Sequence, residues 1–269
     1  MKICAHTLVK NEERFIWYSV VSVIKYVDRV LLWDTGSTDK TLEIIREIKE
    51  VFPEKVEIKE LGNICPEKFT EFRQKMLEAT DADWVLVLDG DEVWWEDSIK
   101  KVVSEINKNK IDAIVSPFIN PVGDIFHYQG ESVGRYKIDG RVGNITIRAF
   151  SKAIKGLRVS EPYGSEGYFD LTDKPIQESD TVKRKFVDAP FLHLTHLTRS
   201  SKDFDTMGRK GKVKHEIGNS FPLDFYYPEV FFRASPEIVE PPWQRMNRGF
   251  KFRAFFETPL RKIKRRILQ

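Results

Sequence analysis

Five apolar residues in a row, at positions 84–88, are followed at once by Asp-Gly-Asp-Glu. An unbroken apolar run with β-branched members predicts a short strand that is buried on both faces of a parallel sheet. Open α/β folds form their ligand crevices at the carboxyl ends of such strands. Asp89 and Asp91 would point to the same side there, and adjacent carboxylates are suited to Mg²⁺ or Mn²⁺. Because Asp-Gly is also a frequent turn dipeptide, a plain turn is the alternative.

Length, composition and charge restrict the class of protein. A chain of 269 residues with 41% hydrophobic residues can form one large domain. Two cysteines and no apolar run of 18 residues predict a cytoplasmic protein without a disulfide framework, a signal peptide or a membrane-spanning helix. Residues 245–269 hold nine Lys and Arg and one acid, whereas residues 1–244 hold 35 basic and 40 acidic residues. A nucleic-acid-binding protein would carry its basic residues over the fold, whereas here the basic excess is confined to residues 245–269. We therefore expect no nucleic-acid partner.

Strand and helix signals alternate over the first 110 residues. Predicted strands at 2–8, 29–33, 55–60 and 84–88 are separated by predicted helices near 12–27, 42–52 and 66–77. We expect Asn11 to be the N-cap of the first helix. This alternation predicts an α/β fold, with a Rossmann-like, mostly parallel sheet and helices on both faces. A helix near 97–108 and strands at 113–116, 145–150 and 191–194 would complete it.

Three short motifs follow predicted strands, and a fourth lies in the helix before the acidic strand. In chain order they are Lys10-Asn11-Glu12-Glu13, Asp34-Thr35-Gly36-Ser37-Thr38-Asp39, Phe72-Arg73 and Asp89-Gly90-Asp91. The set resembles the family 2 glycosyltransferases of the GT-A fold, in particular the subgroup with Lys-Asn-Glu after the first strand. The similarity is strong over residues 1–100 and diffuse beyond. It implies a nucleotide-sugar-binding half at 1–110, an acceptor-side half of the same domain at 111–244, and a basic tail at 245–269.

The resemblance also implies which residues bind the donor. Asp34 would read the nucleotide, and Arg73 would reach the nucleotide or its phosphates, for which a planar guanidinium is suited. The family often has a second acid directly after the position of Asp34, but this chain has Thr35 there. The nucleobase of the donor therefore cannot be predicted from this position. The expected donor-binding residues are Leu8, Glu12, Asp34, Thr35, Arg73, Asp89 and Gly90.

A divalent metal, Mn²⁺ or Mg²⁺, is expected on Asp89 and Asp91. A further ligand in such folds often comes from late in the chain, where Leu192-His193-Leu194-Thr195-His196 stands. On a strand, His193 and His196 would fall on opposite faces, so we expect one of them, preferably His193, to bind the metal. The alternative is a histidine buried in the core. Because the expected cleft is lined by carboxylates, it would repel a nucleoside diphosphate unless a cation were bound.

An inverting sugar transfer needs a base that takes the acceptor proton. In relatives, a glutamate follows an Arg-x-Phe strand at a short interval. Here Arg148-Ala149-Phe150 is followed by Glu161, which we expect to be the general base, with Glu166 and Asp170 as alternatives.

The sequence thus predicts a glycosyltransferase that moves a sugar from a nucleotide-diphosphate sugar to a glycan, lipid-linked or protein acceptor. A sugar nucleotidyltransferase would have a glycine-rich basic loop after the first strand, and a dinucleotide-binding protein would have Gly-x-Gly-x-x-Gly there. Neither motif is present at 10–13. The remaining alternative is a catalytically inactive nucleotide-sugar-binding module attached to a membrane or complex, against which the pair Asp89 and Asp91 argues.

The tail predicts a short amphipathic helix that begins with Thr258 as N-cap and Pro259 as first residue. Leu260, Ile263 and Ile267 would share one face, and basic residues would occupy the rest. Such a helix predicts that the protein binds peripherally to an anionic membrane surface, at the inner face of the membrane. The alternatives are a solvated tail and a helix docked on the body.

Overall fold

The computed structural model describes residues 1–162, 164–203, 206 and 209–267. Its first elements alternate as predicted: β1 (Ile3–Val9), α1 (Ile16–Val23), β2 (Arg29–Asp34), α2 (Thr41–Val51), β3 (Val56–Glu60), α3 (Phe69–Glu78), β4 (Trp84–Val87), β5 (Glu92–Trp94) and α4 (Glu96–Asn107). Shorter strands follow: β6 (Ala113–Ile119), β7 (Pro121–Val122), β8 (Asp124–Tyr128), β9 (Tyr136–Ile138), β10 (Arg141–Gly143), β11 (Ile145–Ser151), β12 (Arg158–Ser160), β13 (Gly167–Phe169), β14 (Arg184–Phe186) and β15 (Phe191–His193). The last elements are α5 (Arg209–Lys212), β16 (Asn219–Ser220) and α6 (Arg248–Ile267).

One sheet joins the two halves of the chain. Its strand order is β3-β2-β1-β4-β11-β6-β15-β5, and β14 pairs with β6 at the side. β3, β2, β1 and β4 run parallel, whereas β11 runs antiparallel to both β4 and β6. β15 and β14 are parallel to β6. The predicted α/β, mostly parallel GT-A-like architecture is therefore confirmed.

Helices cover both faces of this sheet. Successive strand residues point to opposite faces, so neighbouring residues of one strand pack against different helices. On one face, Leu32 of β2 packs in a cluster with Ile44 and Ile48 of α2, all of them without solvent exposure. On the other face, Trp33 packs with Met76 of α3. The core thus holds the carboxyl ends of the strands in a fixed arrangement.

The prediction for the first helix was wrong at its start. α1 begins at Ile16, and Asn11 has a left-handed φ of 56° rather than the conformation of an N-cap. The Asn11 Oδ1 accepts a hydrogen bond from the Thr38 N–H at 2.8 Å, and its Nδ2 donates to the Thr206 Oγ1 at 2.8 Å. The side chain therefore fastens the loop after β1 to the loop after β2.

The prediction for the tail helix was also wrong at its start. α6 begins at Arg248, where the Asn247 Oδ1 accepts a hydrogen bond from the Phe250 N–H at 2.8 Å. Thr258 and Pro259 lie inside this helix, and the Thr258 Oγ1 accepts a hydrogen bond from the Ile217 N–H at 2.9 Å. Across the described residues, no helix is both long and apolar enough to span a membrane.

His6, in the middle of β1, should make stability depend on pH. The side chain is 1% exposed, its Nε2 lies 2.5 Å from the Thr80 Oγ1, and burial lowers its pKa to about 3. Below its ordinary pKa, the unfolded chain binds a proton that the folded chain does not, so the free energy of unfolding falls as pH falls. Through this group we expect a loss of about 2 kcal/mol between about pH 7 and pH 5, absent from His6→Gln. Denaturant titrations of both proteins at the two pH values measure it, and identical pH dependence would contradict it.

Candidate active site

The candidate site is a cleft at the carboxyl ends of β1 and β4. These strands run parallel, so the segments that follow them leave the sheet at the same edge. β15 adds residues from the second half of the chain, since His193 pairs with Glu92. A cavity of about 500 Å³ lies between these segments. Its acidic lining residues are Glu12, Asp89, Asp91 and Glu166. Its basic lining residues are Lys10, Arg73, Arg199, Arg209 and Lys212.

Two arginines from different elements contact Asp89. The Arg73 Nη2, from α3, lies 3.5 Å from the Asp89 Oδ1, and the Arg148 Nη2, from β11, lies 3.0 Å from its Oδ2. Arg148 also pairs with the fully buried Glu92. Burial alone would raise the pKa of Asp89, but the charges of Arg148 and Arg73 outweigh it and hold this pKa below its usual range. Asp89 is therefore a carboxylate at neutral pH.

A third arginine joins the two other acids of the cleft. The Arg199 Nη1 lies 2.7 Å from the Asp91 Oδ2 and 2.6 Å from the Glu12 Oε1. Asp91 is 1% exposed, and burial would raise its pKa, yet the charge of Arg199 keeps this pKa below its ordinary value. Glu12 and Asp91 thus share one guanidinium, which fixes both carboxylates in place.

These three arginines correct one expectation from the sequence. Carboxylates do not alone set the charge of the cleft, because Arg73, Arg148 and Arg199 offset them at distances of a direct ion pair. A bound diphosphate would meet guanidinium groups as well as acids. Repulsion is therefore not by itself a reason for a metal, and the case for a cation depends on the geometry of the ligands.

An oxygen of Asp91 and a ring nitrogen of His193 lie close together in the cleft. The His193 Nε2 lies 3.8 Å from the Asp91 Oδ1, the oxygen that faces away from Arg199. Burial lowers the pKa of His193 to about 4, so its imidazole is neutral at pH 7 and able to bind a metal. The described residues contain no group of three or more His, Cys, Asp or Glu side chains that could hold a metal ion. The donor set fits Mg²⁺ or Mn²⁺, which commonly take few protein ligands and complete their shell with phosphate oxygens and water.

His196 lies elsewhere. Its Nδ1 is 3.0 Å from the Lys212 carbonyl oxygen and its Nε2 is 2.8 Å from the Lys214 Nζ. The side chain is 8% exposed and does not line the cleft. The structure therefore brings only His193 to Asp91.

A second cavity, of about 650 Å³, adjoins the first. The two share a wall made of Arg73, Asp89, Gly164, Glu166 and His193. The far side of the second cavity is formed largely by the strands of the second half of the chain, β9 and β11. Two substrates could thus occupy separate chambers and meet at this wall.

The three candidate bases lie in different surroundings. Glu166 lines both cavities, and its Oε1 is 3.9 Å from the Arg73 Nε. Glu161 is exposed, lines neither cavity, and has a left-handed φ of 72°. Asp170 is 1% exposed. Its carboxylate accepts hydrogen bonds from the hydroxyls of Thr172, Ser179 and Thr181 and from the Lys174 N–H. Of the three candidates, Glu166 is the one that lines the two cavities.

The predicted donor-binding residues also divide into two groups. Leu8, Glu12, Arg73, Asp89 and Gly90 line the first cavity. A Cβ atom at position 90 would lie 2.9 Å from the Glu12 Cγ, so glycine permits this close approach.

Asp34 and Thr35 are not among the residues that line the cleft. The Asp34 Oδ1 accepts hydrogen bonds from the N–H groups of Gly36 at 2.9 Å and Ser37 at 3.0 Å. The Thr35 Oγ1 donates to the Val9 carbonyl oxygen at 2.8 Å, and Thr35 has no solvent exposure. Both side chains hold the turn after β2.

Sequence reasoning did not assign Arg148 and Arg199 to the site. A signal was present for Arg148, because a charged residue interrupts the apolar pattern of a strand that was itself predicted. Arg199 follows His193 by six residues, beyond the end of β15, and carried no strand or helix signal.

The chain is similar to known proteins in sequence and in fold. The family model described as glycosyl transferase family 2 matches residues 4–160, more than half of the chain. Two curated relatives, the SPbeta prophage-derived glycosyltransferase SunS of Bacillus subtilis (strain 168) and glycosyltransferase SunS of Bacillus phage SPbeta, are each 28% identical over 138 residues. Each match covers 50% of this chain and 31% of the relative.

Among solved structures, S. aureus TarS has the same fold over most of this chain. Its TM-score is 0.51 at 14% identity, and the match covers 73% of this chain and 37% of TarS. A weaker match is glucosyl-3-phosphoglycerate synthase from Mycobacterium tuberculosis in complex with Mn²⁺, UDP and phosphoglyceric acid, with a TM-score of 0.34, 22% identity, and coverage of 44% and 43%. The chain spans about a third of the length of SunS and TarS. From the match over residues 4–160, the chain belongs to glycosyl transferase family 2.

Proposed function

We propose that this chain transfers a sugar from a nucleoside-diphosphate sugar to an acceptor, with inversion at the anomeric carbon. The observation that carries the proposal is the shared wall between the two cavities, where Asp89, Glu166 and His193 come together. Donor and acceptor would enter from opposite sides and react at this wall. Membership of glycosyl transferase family 2 supports the same reaction class.

The first cavity is suited to the donor. Its basic residues can attract a diphosphate, and the planar guanidinium groups of Arg73 and Arg199 can bind phosphate oxygens with two hydrogen bonds each. Leu8, Ile64 and Phe69 form an apolar part of the same lining, where a nucleobase would be shielded from water.

We propose that Asp91 and His193 hold Mn²⁺ or Mg²⁺. When bound, such an ion would offset the negative charge that develops on the leaving diphosphate. Asp89 contributes differently, because both of its oxygens face arginines. We assign to Asp89 the positioning of Arg73 and Arg148 beside the reacting groups.

Glu166 is the proposed general base. The acceptor oxygen attacks the anomeric carbon on the side opposite the diphosphate, and the bond from that carbon to the diphosphate oxygen breaks. The electron pair leaves with the diphosphate, and the acceptor proton moves to the Glu166 carboxylate. A glycan, a lipid-linked or a protein acceptor would occupy the second cavity.

The direct test is the release of nucleoside diphosphate from a panel of UDP-sugars and GDP-sugars in the presence of Mn²⁺. Without the natural acceptor, we expect at least one donor to release its nucleoside diphosphate slowly, with water taking the place of the acceptor. The reason is that the proposed site holds both a base and a place for the leaving group. Binding of a donor without any release over a long incubation would support the inactive binding module instead.

The two histidines form a matched pair for testing the cation site. His193→Ala should weaken Mn²⁺ affinity by roughly 10- to 100-fold, because it removes one of two protein ligands. His196→Ala should change thermal stability and leave Mn²⁺ affinity within about twofold, since the two sites do not share partners. Titration of Mn²⁺ followed by electron paramagnetic resonance of the free ion measures both. Equal losses in the two variants would contradict the assignment.

A further inference from the structure

We propose that the outer face of helix α6 is a binding surface for an anionic membrane. The outer face is defined by six apolar side chains that are more than half exposed: Phe252, Phe255, Phe256, Leu260, Ile263 and Ile267. They recur every three or four residues, so at 3.6 residues per turn they form one stripe along the helix. Contiguous apolar surface of this kind is uncommon on a soluble monomer and marks an interaction site.

The opposite face of α6 is fixed to the body. Ala254 has no solvent exposure, and Thr258 accepts a hydrogen bond from the Ile217 N–H at 2.9 Å. Two residues before the end of the helix, the Arg265 Nη1 donates to the Glu216 Oε1 at 2.6 Å. Ala254, Thr258 and Arg265 are spaced by four and seven residues, which places them on one side of the helix, roughly opposite the apolar stripe. The outer face therefore points away from the protein.

This docking removes an objection to a membrane-binding helix of this size. Most of the stability of a helix in a protein comes from packing against other elements rather than from its own hydrogen bonds. In α6 the contacts with Ile217 and Glu216 already order the backbone. The apolar stripe is thus presented in its binding conformation.

Charge selects an anionic membrane as the partner. Lys251, Arg253, Lys262 and Lys264 are exposed, and at 3.6 residues per turn they flank the stripe on both sides. α6 contains a single acid in its sequence, Glu257, which already pairs with Arg253 at 2.6 Å and Arg261 at 2.8 Å. An apolar stripe between basic rows is the pattern of a helix that lies in a lipid interface. Two copies of this face would bring their basic rows together, which disfavours self-association.

Co-sedimentation of the full chain with vesicles tests the surface. We expect binding to phosphatidylcholine vesicles that contain phosphatidylserine to be at least about tenfold stronger than to phosphatidylcholine alone. The variant Phe252→Ser/Phe256→Ser/Ile263→Ser should lose about 100-fold or more in partitioning, because three apolar side chains no longer enter the interface. The matched control, Val142→Ser/Leu171→Ser/Leu223→Ser, removes three apolar side chains that are also more than half exposed but lie outside α6. It should bind as the unmodified chain does.

A second variant keeps the test decisive if the first one misfolds. Arg253→Gln/Lys264→Gln leaves the stripe intact and should lower partitioning roughly tenfold, an effect that weakens as salt is added. Unchanged binding in both variants, or equal binding to neutral and anionic vesicles, would overturn the proposal. The proposal would also be overturned if sedimentation velocity without vesicles showed a dimer and the variant Phe252→Ser/Phe256→Ser/Ile263→Ser were a monomer. None of these outcomes depends on the cleft, so transferase activity is measured separately.

Discussion

Replacing Glu166 with Gln should lower the turnover number by roughly 10²–10⁴, the usual contribution of a positioned general base. The substitution preserves size and polarity but removes the acceptor of the proton. Donor binding should change little, because the contact between Glu166 and Arg73 is a loose one, at 3.9 Å. Steady-state kinetics with a donor that the release assay has identified would separate the two effects.

Glu161→Gln is the matched control for this prediction. Glu161 belongs to the same loop between β12 and β13, but its side chain is exposed and lines neither cavity. We expect activity within about twofold of the unmodified chain, as for most surface substitutions. An active Glu166→Gln together with an inactive Glu161→Gln would return the role of the base to Glu161.

Asp91→Asn should reduce kcat/KM by about 10³ or more, because it removes a cation ligand that acts on the leaving group. It also removes the charge that pairs with Arg199. The fold should persist, since Arg199 keeps its contact with Glu12 at 2.6 Å. Kinetics over a range of Mn²⁺ concentrations would show the loss, and circular dichroism would show that the structure is retained.

Asp170→Asn provides the contrast. Asp170 is as buried as Asp91, but it accepts hydrogen bonds from the hydroxyls of Thr172, Ser179 and Thr181 and lies outside both cavities. Its replacement should lower the melting temperature and leave the Mn²⁺ dependence of the folded enzyme unchanged. Mn²⁺ dependence lost in Asp170→Asn but kept in Asp91→Asn would refute the cation site proposed here.

The first half of the cleft was predictable because its residues follow strands directly. Glu12, Asp89 and Asp91 each stand a few residues after an apolar strand, so the carboxyl edge of the sheet brings them together. Arg73 was expected at the cleft only because its motif resembles that of family 2 glycosyltransferases. Local sequence is sufficient where a motif and the element that positions it are contiguous.

The second half was not predictable in the same way. Arg148 pairs with Asp89 across 59 residues of sequence, and Arg199 pairs with Asp91 across 108. Such pairs depend on strand order, since β11 lies between β4 and β6. His193 and His196 were predicted to lie on opposite faces of one strand, but β15 ends at His193 and His196 lies beyond it. The position of His193 at the cleft depends on the pairing of β15 with β5 and β6.

Two residues make contacts other than those that their local sequence suggested. Thr258-Pro259 has the sequence of a helix start, yet Thr258 bonds to Ile217 in the middle of α6. Asp34 has the position of a nucleotide-reading acid, yet its carboxylate accepts hydrogen bonds from its own turn, at Gly36 and Ser37. Threonine is common both at helix starts and inside helices that bond to neighbouring segments, and Thr258 was assigned to the wrong one of these uses. The role of Asp34 in donor binding remains a prediction.

Calorimetric titration of UDP, and separately of GDP, into the full chain is the most direct test of the central claim, that Asp91 and His193 hold a cation that secures the diphosphate in this cleft. With Mn²⁺ we expect one of the two nucleotides to bind, and with EDTA we expect its affinity to fall at least about tenfold. Asp91→Asn should bind that nucleotide with Mn²⁺ about as weakly as the unmodified chain does with EDTA. Binding of equal strength with Mn²⁺ and EDTA, and unchanged in Asp91→Asn, would contradict the cation site and leave the three arginines as the sole anchors of the diphosphate.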